Sequence, residues 1–259
     1  MDFFLTTTIT PFVKKFREKY RYKIPAVSFD EILNVGDYVT LNRDSTFNKE
    51  GEINSREGMN IPFSTSPPEA LSWDIQVNGS KGCKLFAQGE SPIKGLTEAS
   101  VEISFDSNNS FYYKAQALRI ERMKDPILTL EKDILYRFHH GGRDGVPKWD
   151  KAFAVVTAVI TGKNIELIES TAGQTTVLLS CKSDLPIDGH PFNDMGAHLE
   201  IISSSNGNCR LKSNEQEVAI AYVMHQLKGF PKKKVSALKH ALPSDIFDLP
   251  DIAYQLVEI

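Results

Sequence analysis

Apolar and polar positions alternate most regularly along residues 99–120, ASVEISFDSNNSFYYKAQALRI. Val101, Ile103 and Phe105 alternate with Glu102, Ser104 and Asp106, a period of two that sends apolar side chains to one face of a strand. Asn108-Asn109 is a turn pair, because Asn tolerates positive φ and bonds its own backbone. The chain then returns through Tyr112, Lys114, Gln116, Leu118 and Ile120, set against Phe111, Tyr113, Ala115 and Ala117. Two long amphipathic strands are predicted. A half-buried sheet is their ordinary setting; a strand with one face in lipid and one in water carries the same alternation.

On either side the pattern predicts strands and few helices. Thr10-Pro11 reads as N-cap and N1 of a first helix, with Phe12, Val13, Phe16 and Tyr20 on one side and Lys14, Lys15, Arg17, Lys19 and Arg21 on the other. Residues 24–47 read as short strands and turns around Pro25, Gly36 and Asp37, and Lys49 to Pro68 as a loop. Residues 71–88 return to strand character. Asp125-Pro126 opens a second helix through Ile127, Leu128, Leu130, Ile134, Leu135 and Phe138, which Gly141-Gly142 ends. AFAVVTAVITG is the apolar, β-branched run of a strand buried on both faces. Asn164 to Ser170 and Thr175 to Cys181 read as two further strands. Ala197 to Ser203 and Cys209 to Lys212 read as a hairpin around Asn206-Gly207, and Val218 to Gln226 as a last strand. The fold class expected is α+β: a twisted, mostly antiparallel central sheet with flanking helices.

Charge changes this picture locally. The chain of 259 residues is 41% hydrophobic with a net charge of −3, enough apolar material for a core and no global signal for nucleic acid. Residues 1–23, however, hold six Lys or Arg against Asp2 and Glu18. A solvated helix face explains such a cluster; so does a basic amphipathic helix meeting anionic headgroups, where each basic residue contributes about 1 kcal/mol. Lys232, Lys233 and Lys234 form a second basic cluster. The last eighteen residues, LPSDIFDLPDIAYQLVEI, are acidic and apolar together. Cys83, Cys181 and Cys209 are three, with no CxxC, and the start has no basic stretch before its apolar residues; a reducing setting with free thiols is expected.

Catalytic motifs are missing. There is no GxSxG, P-loop, GxGxxG or HExxH, and the chain is expected not to be an enzyme and to need no cofactor or metal. His139 and His140 fall at a helix end, where a cationic His suits the dipole. His190 and His198 flank Asp194 without a Cys/His framework.

From Gln116 onward, the order of elements resembles the pore-forming domain of the gasdermin family. ALRIERM runs into DPILTLEKDILYRF, an RDG-containing loop, the strand AFAVVTAVITGKNIELIES, and then GAHLEIISSSNGNCRLKSNEQEVAIAYVMHQL. With the basic helix at the start, the resemblance covers most of residues 10–230. The large helical C-terminal inhibitory domain of vertebrate members is missing, and the layout is closer to compact fungal and bacterial relatives. The resemblance implies a domain of residues 1–241 and a short tail of 242–259. It implies two extensible β-hairpin regions, roughly 70–120 and 163–212, that straighten on a membrane into a closed oligomeric barrel. It implies binding of acidic phospholipids by Lys14, Lys15, Arg17, Lys19 and Arg21, with Lys232, Lys233 and Lys234 as a second contact. The partners are then lipid and a homo-oligomer, or a hetero-oligomer with a related subunit, and no nucleic acid. The inactive protein is expected in the cytoplasm, the active one in the plasma membrane, causing lytic cell death in allorecognition or defence.

Two rivals follow from the same residues. One is a soluble α+β protein-binding module whose basic helix recognises a protein. The other is a metal hydrolase using His139, His140, His190 or His198. The tail is expected either to hold the fold closed as a latch or to complete the core as a helix.

Overall fold

A computed structural model describes residues 6–21, 23–26, 33–42, 47–54, 61–72, 75–78, 82–86, 99–142, 148–181, 199–205, 209–214, 216–231 and 252–258. Among these described residues two helices, α1 (Thr6–Lys19) and α2 (Pro126–His140), accompany fourteen strands. These are β1 (Ile24–Pro25), β2 (Asp37–Leu41), β3 (Phe47–Glu52), β4 (Glu69–Ala70), β5 (Ile75–Asn78), β6 (Gly82–Phe86) and β7 (Ala99–Phe105), followed by β8 (Ser110–Arg122), β9 (Phe153–Ser170), β10 (Thr175–Cys181), β11 (Leu199–Ser204), β12 (Cys209–Asn214), β13 (Val218–Pro231) and β14 (Ile252–Glu258). The class is α+β with an antiparallel sheet, as expected.

The 18-residue β9 is the spine. Its β-branched first half is buried on both faces, as the apolar run predicts. The sequence suggests a new strand at Asn164, but β9 runs on unbroken to Ser170, because partners flank both of its edges. β2 and then β8 pair along one edge; β13 and then β12 pair along the other. Gly162 permits this continuity, since a Cβ there would meet Leu118 at 3.0 Å and Ile220 at 3.1 Å.

The strands divide between a ten-stranded sheet around β9 and a four-stranded sheet in the order β11-β10-β7-β6. That division corrects two sequence expectations. β7 and β8 do not pair with each other across Asn108-Asn109, and β11 does not pair with β12: each turn passes the chain from one sheet to the other. Asn109 does hold the positive φ of 57° that its residue type allows. β8 is also buried on both faces from Ser110 to Gln116 rather than half-buried, since it lies between α1 and the small sheet.

Other boundaries move for local reasons. α1 begins at Thr6, so Pro11 sits inside it and removes one i→i−4 bond near its start. Lys49–Glu52, expected as loop, belongs to β3, paired on β2. Lys49 Nζ lies 2.8 Å from Asp37 Oδ2, which fastens the edge strand to a buried carboxylate. Asp125 precedes α2 with no side-chain cap bond; instead Thr129 Oγ1 donates to the Lys124 carbonyl at 3.2 Å. Leu130 and Ile134 face the core, while Ile127 and Leu128 face outward. Residues 252–258 form a strand on the β13 edge, not a helix.

Candidate functional site

α1 is amphipathic by position. Phe12, Val13 and Phe16 are buried and Tyr20 is half-buried, whereas Lys14, Lys15, Arg17, Lys19 and Arg21 are all exposed. Glu18 is the acid among them, 3.9 Å from Lys15. Lys19 Nζ stands 5.5 Å from the Tyr20 ring centre, a cation–π arrangement. Lys232, Lys233 and Lys234 lie outside the described residues.

The apolar face of α1 is spent on the sheet. The Phe12 ring meets Phe111 at 5.2 Å and Tyr113 at 5.1 Å, both edge-on, and Phe16 at 5.7 Å. Edge-to-face aromatic contacts add about 0.5–1.5 kcal/mol beyond their area. The helix therefore offers charge outward and cannot lay its apolar side into a bilayer while it stays docked. It rests on β5 and β8, strands of the first predicted extensible region.

On the other face of β8 and β9 lies the small sheet. Ile103 and Phe105 of β7 and Val177 and Leu179 of β10 cover Tyr112 and Ile168. Each strand of the small sheet continues, through a short link, into a strand of the large one: β5 into β6, β7 into β8, β9 into β10, β11 into β12. The order β5-β8-β9-β12 in the large sheet repeats as β6-β7-β10-β11 in the small one. The small sheet is thus a four-stranded segment folded back on its own continuation.

The two central strands keep register through the fold. Phe105 pairs with Thr175 on one side of the crease and Ser110 with Ser170 on the other, leaving four residues, 106–109 and 171–174, on each strand between them. Equal links mean that the two ladders are one ladder interrupted. Straightened, it would run for sixteen residue pairs from Ala99–Cys181 to Lys114–Glu166, about 50 Å at 3.3 Å per residue. Parity then sorts the side chains. Val101, Ile103, Phe105, Phe111 and Tyr113 share a face with Ile165, Leu167, Val177 and Leu179. Ser100, Glu102, Ser104, Asp106 and Lys114 share the other with Glu166, Ser170, Thr176 and Ser180, a mainly polar row interrupted by Tyr112, Ile168 and Leu178, as Glu169 interrupts the apolar one. Creased, this ribbon hides its apolar rows against α1 and in the seam.

The crease also buries charge. Lys114 and Glu166 are paired in register and nearly fully buried, on the same strand face as Tyr112 and Ile168. Burial pushes the Glu166 carboxyl up to about 7 against the opposing pull of Lys114. Elsewhere, Thr157 Oγ1 and His225 Nδ1 are 2.8 Å apart in the core, and burial brings His225 down to about 4.

The histidines do not assemble. His139, half-buried at the end of α2, is lowered by burial and by neighbouring His140, against the cationic state that the helix end would favour. His190 and His198 lie outside the described residues, and no group of three or more metal-ligating side chains occurs among the described ones. Cys209 is a free thiol packed against the seam. No described helix is long and apolar enough to cross a membrane, which leaves a β-barrel open. Sequence reasoning found the basic helix and the alternation; it missed Lys114 and Glu166 as a buried pair, for which Lys114 in an otherwise apolar–aromatic run was the available signal. A search of protein-family models found no match, and a search of characterised proteins found none either.

Proposed function

We propose that this chain is a gasdermin-like pore-forming protein that binds acidic phospholipids, oligomerises and inserts its folded-back strands as a transmembrane β-barrel. The observation that carries the reading is the register kept across the crease. A ribbon whose two halves are already in step lengthens by straightening two four-residue turns, without re-pairing its central strands. A barrel strand needs about 9–11 residues to cross a bilayer, and the straightened ribbon exceeds this with a mainly apolar row on one face, broken by Glu169, and a mixed row on the other. Its outer edges would present N–H and C=O groups that hydrocarbon cannot satisfy, so insertion demands neighbouring subunits, of the same chain or a related one, and closure.

Recruitment falls to Lys14, Lys15, Arg17, Lys19 and Arg21, which leave the plane of α1 on its solvent side. Their target is the anionic inner face of the plasma membrane, and the outcome of insertion is lytic cell death. The tail of residues 242–259 acts as a latch: β14 occupies the β13 edge from His225 to Pro231 and also contacts α2.

Dye release from vesicles with and without phosphatidylserine tests the reading, using the full chain and the form ending before Pro243. Release confined to acidic vesicles, and lost when Lys14, Lys15, Arg17 and Lys19 are changed to Glu, supports it. Folded protein of both lengths that leaves acidic vesicles intact, alone and mixed with a related chain, refutes it in favour of a protein-binding module.

A further inference from the structure

The two turns of the crease are fastened to each other. The Gly173 N–H donates to Asn108 Oδ1 at 2.6 Å, joining residues 65 apart in the chain. A Cβ on Gly173 would stand 2.9 Å from the Asp106 carbonyl oxygen and 3.1 Å from Asn108 Oδ1, so the turns meet where there is no side chain to hold them apart. Each turn also closes on itself. Ser110 Oγ donates to the Ser107 carbonyl at 2.7 Å, and Thr175 Oγ1 donates to the Ala172 carbonyl at 2.9 Å.

Each turn also holds one non-glycine residue in the left-handed region, Asn109 at φ 57° and Gln174 at φ 51°. This region is disfavoured for L residues, less so for Asn than for Gln. A straight ladder would return both to the β region and set Asp106 opposite Gln174 and Ser107 opposite Gly173. The Gly173–Asn108 bond must break first. Because it ties one turn to the other, neither strand straightens alone.

We propose that Asn108 and Gly173 form the clasp of the fold-back, and that the left-handed backbones of Asn109 and Gln174 are the hinges that set the balance between creased and straight ribbon. The role of this clasp in pore opening rests on the pore-forming reading; its role in holding the small sheet does not. Asn108→Ala and Gly173→Ala remove the clasp. Gln174→Ile makes the hinge costlier to bend, and Gln174→Gly makes it easier.

The test reads amide hydrogen exchange in the free protein and dye release from phosphatidylserine vesicles. Asn108→Ala is expected to speed exchange in residues 99–105 and 175–181 about two- to tenfold, the worth of one hydrogen bond, while residues 154–160 of β9 stay unchanged. Gln174→Ile moves in the same direction, and Gln174→Gly slows exchange about two- to fivefold. Release rates follow the same order. Exchange that is unmoved, or that speeds equally in β9, overturns the clasp even if every variant permeabilises vesicles. Exchange that responds as expected while neither wild type nor variants release dye upholds the clasp and overturns the pore.

Discussion

Lys114 and Glu166 face each other across β8 and β9, both almost sealed from water beneath the small sheet. Two buried charges are an expensive way to join two strands of one sheet, since desolvation offsets most of their attraction. Breaking such a pair is worse still. Lys114→Met is expected to cost about 3 kcal/mol above pH 7, where Glu166 is ionised and loses its counter-charge, while the double change Lys114→Met with Glu166→Leu recovers most of that loss. Urea unfolding of the three proteins checks the order.

The same pair gives a pH dependence. The Glu166 pKa is raised from 4.5 to about 7 in the fold. Its contribution is therefore full below pH 4.5 and is lost as pH rises through 7. The span corresponds to a loss on the order of 3 kcal/mol at most. His225 works in the opposite sense. Lowered from 6.5 to about 4, it contributes fully above 6.5 and is lost as pH falls toward 4. Thermal midpoints between pH 4 and 8 are expected to pass through a maximum, and Glu166→Gln to flatten the alkaline side only.

Reversing charge on α1 separates binding from stability. Lys14, Lys15, Arg17 and Lys19 are exposed, so changing all four to Glu is expected to leave the thermal midpoint near wild type and to abolish sedimentation with acidic vesicles, at about 1 kcal/mol of attraction per residue. Phe12→Ala behaves in reverse. It empties an aromatic cluster and is expected to cost about 3–4 kcal/mol of stability.

The β2–β3 edge has its own anchor. Asp37, fully buried, accepts the Asn34 N–H at 2.7 Å and holds Lys49 at 2.8 Å, and the contact raises the Lys49 pKa. Asp37→Ala is expected to cost about 3 kcal/mol in urea unfolding, whereas Lys49→Met, at the exposed end of the contact, leaves Asp37 its backbone donor and costs less.

Removing residues 243–259 uncovers the β13 edge from His225 to Pro231. The truncated chain is expected to keep its near-ultraviolet circular dichroism and to release dye without further trigger. Loss of that spectrum, with aggregation, identifies the tail as part of the core instead.

Much of the fold was legible in the sequence. Periodicity of two located β7 and β8, the apolar run located β9, and the split of Phe12 and Phe16 from Lys14 and Arg17 gave α1 its two faces. What local pattern does not encode is the partner of a strand. Asn108-Asn109 and Asn206-Gly207 have the chemistry of hairpin turns, and nothing in four residues distinguishes a turn that pairs its flanking strands from one that creases a ribbon over itself. The strand at 252–258 was hidden for a similar reason, since an apolar segment on a free edge takes its shape from β13. The buried Lys114–Glu166 pair needed both strands in register before either residue meant anything.

The outer strands of the folded segment do not share the bookkeeping of the central pair. Asn78 pairs with Tyr112 and Gly82 with Ser104, so three residues on the outer strand answer to seven on the inner one. On the far side, Cys209 pairs with Ser170 and Ser204 with Val177, four residues against six. The creased segment is like a bound book, its inner pages even and its covers short. Flattening it requires β6 to slide four residues along β7, and β11 to slide along β10 by two at Ser203–Ser204 and by one at Leu199–Ile201, beyond a bulge. The slide of β6 is even, so its side chains keep their faces, whereas β11 must also give up the bulge between Leu178 and Leu179. Friction, then, belongs to the margins as well as to the clasp: once the middle is released, flattening still requires β6 and β11 to give up and remake their bonds.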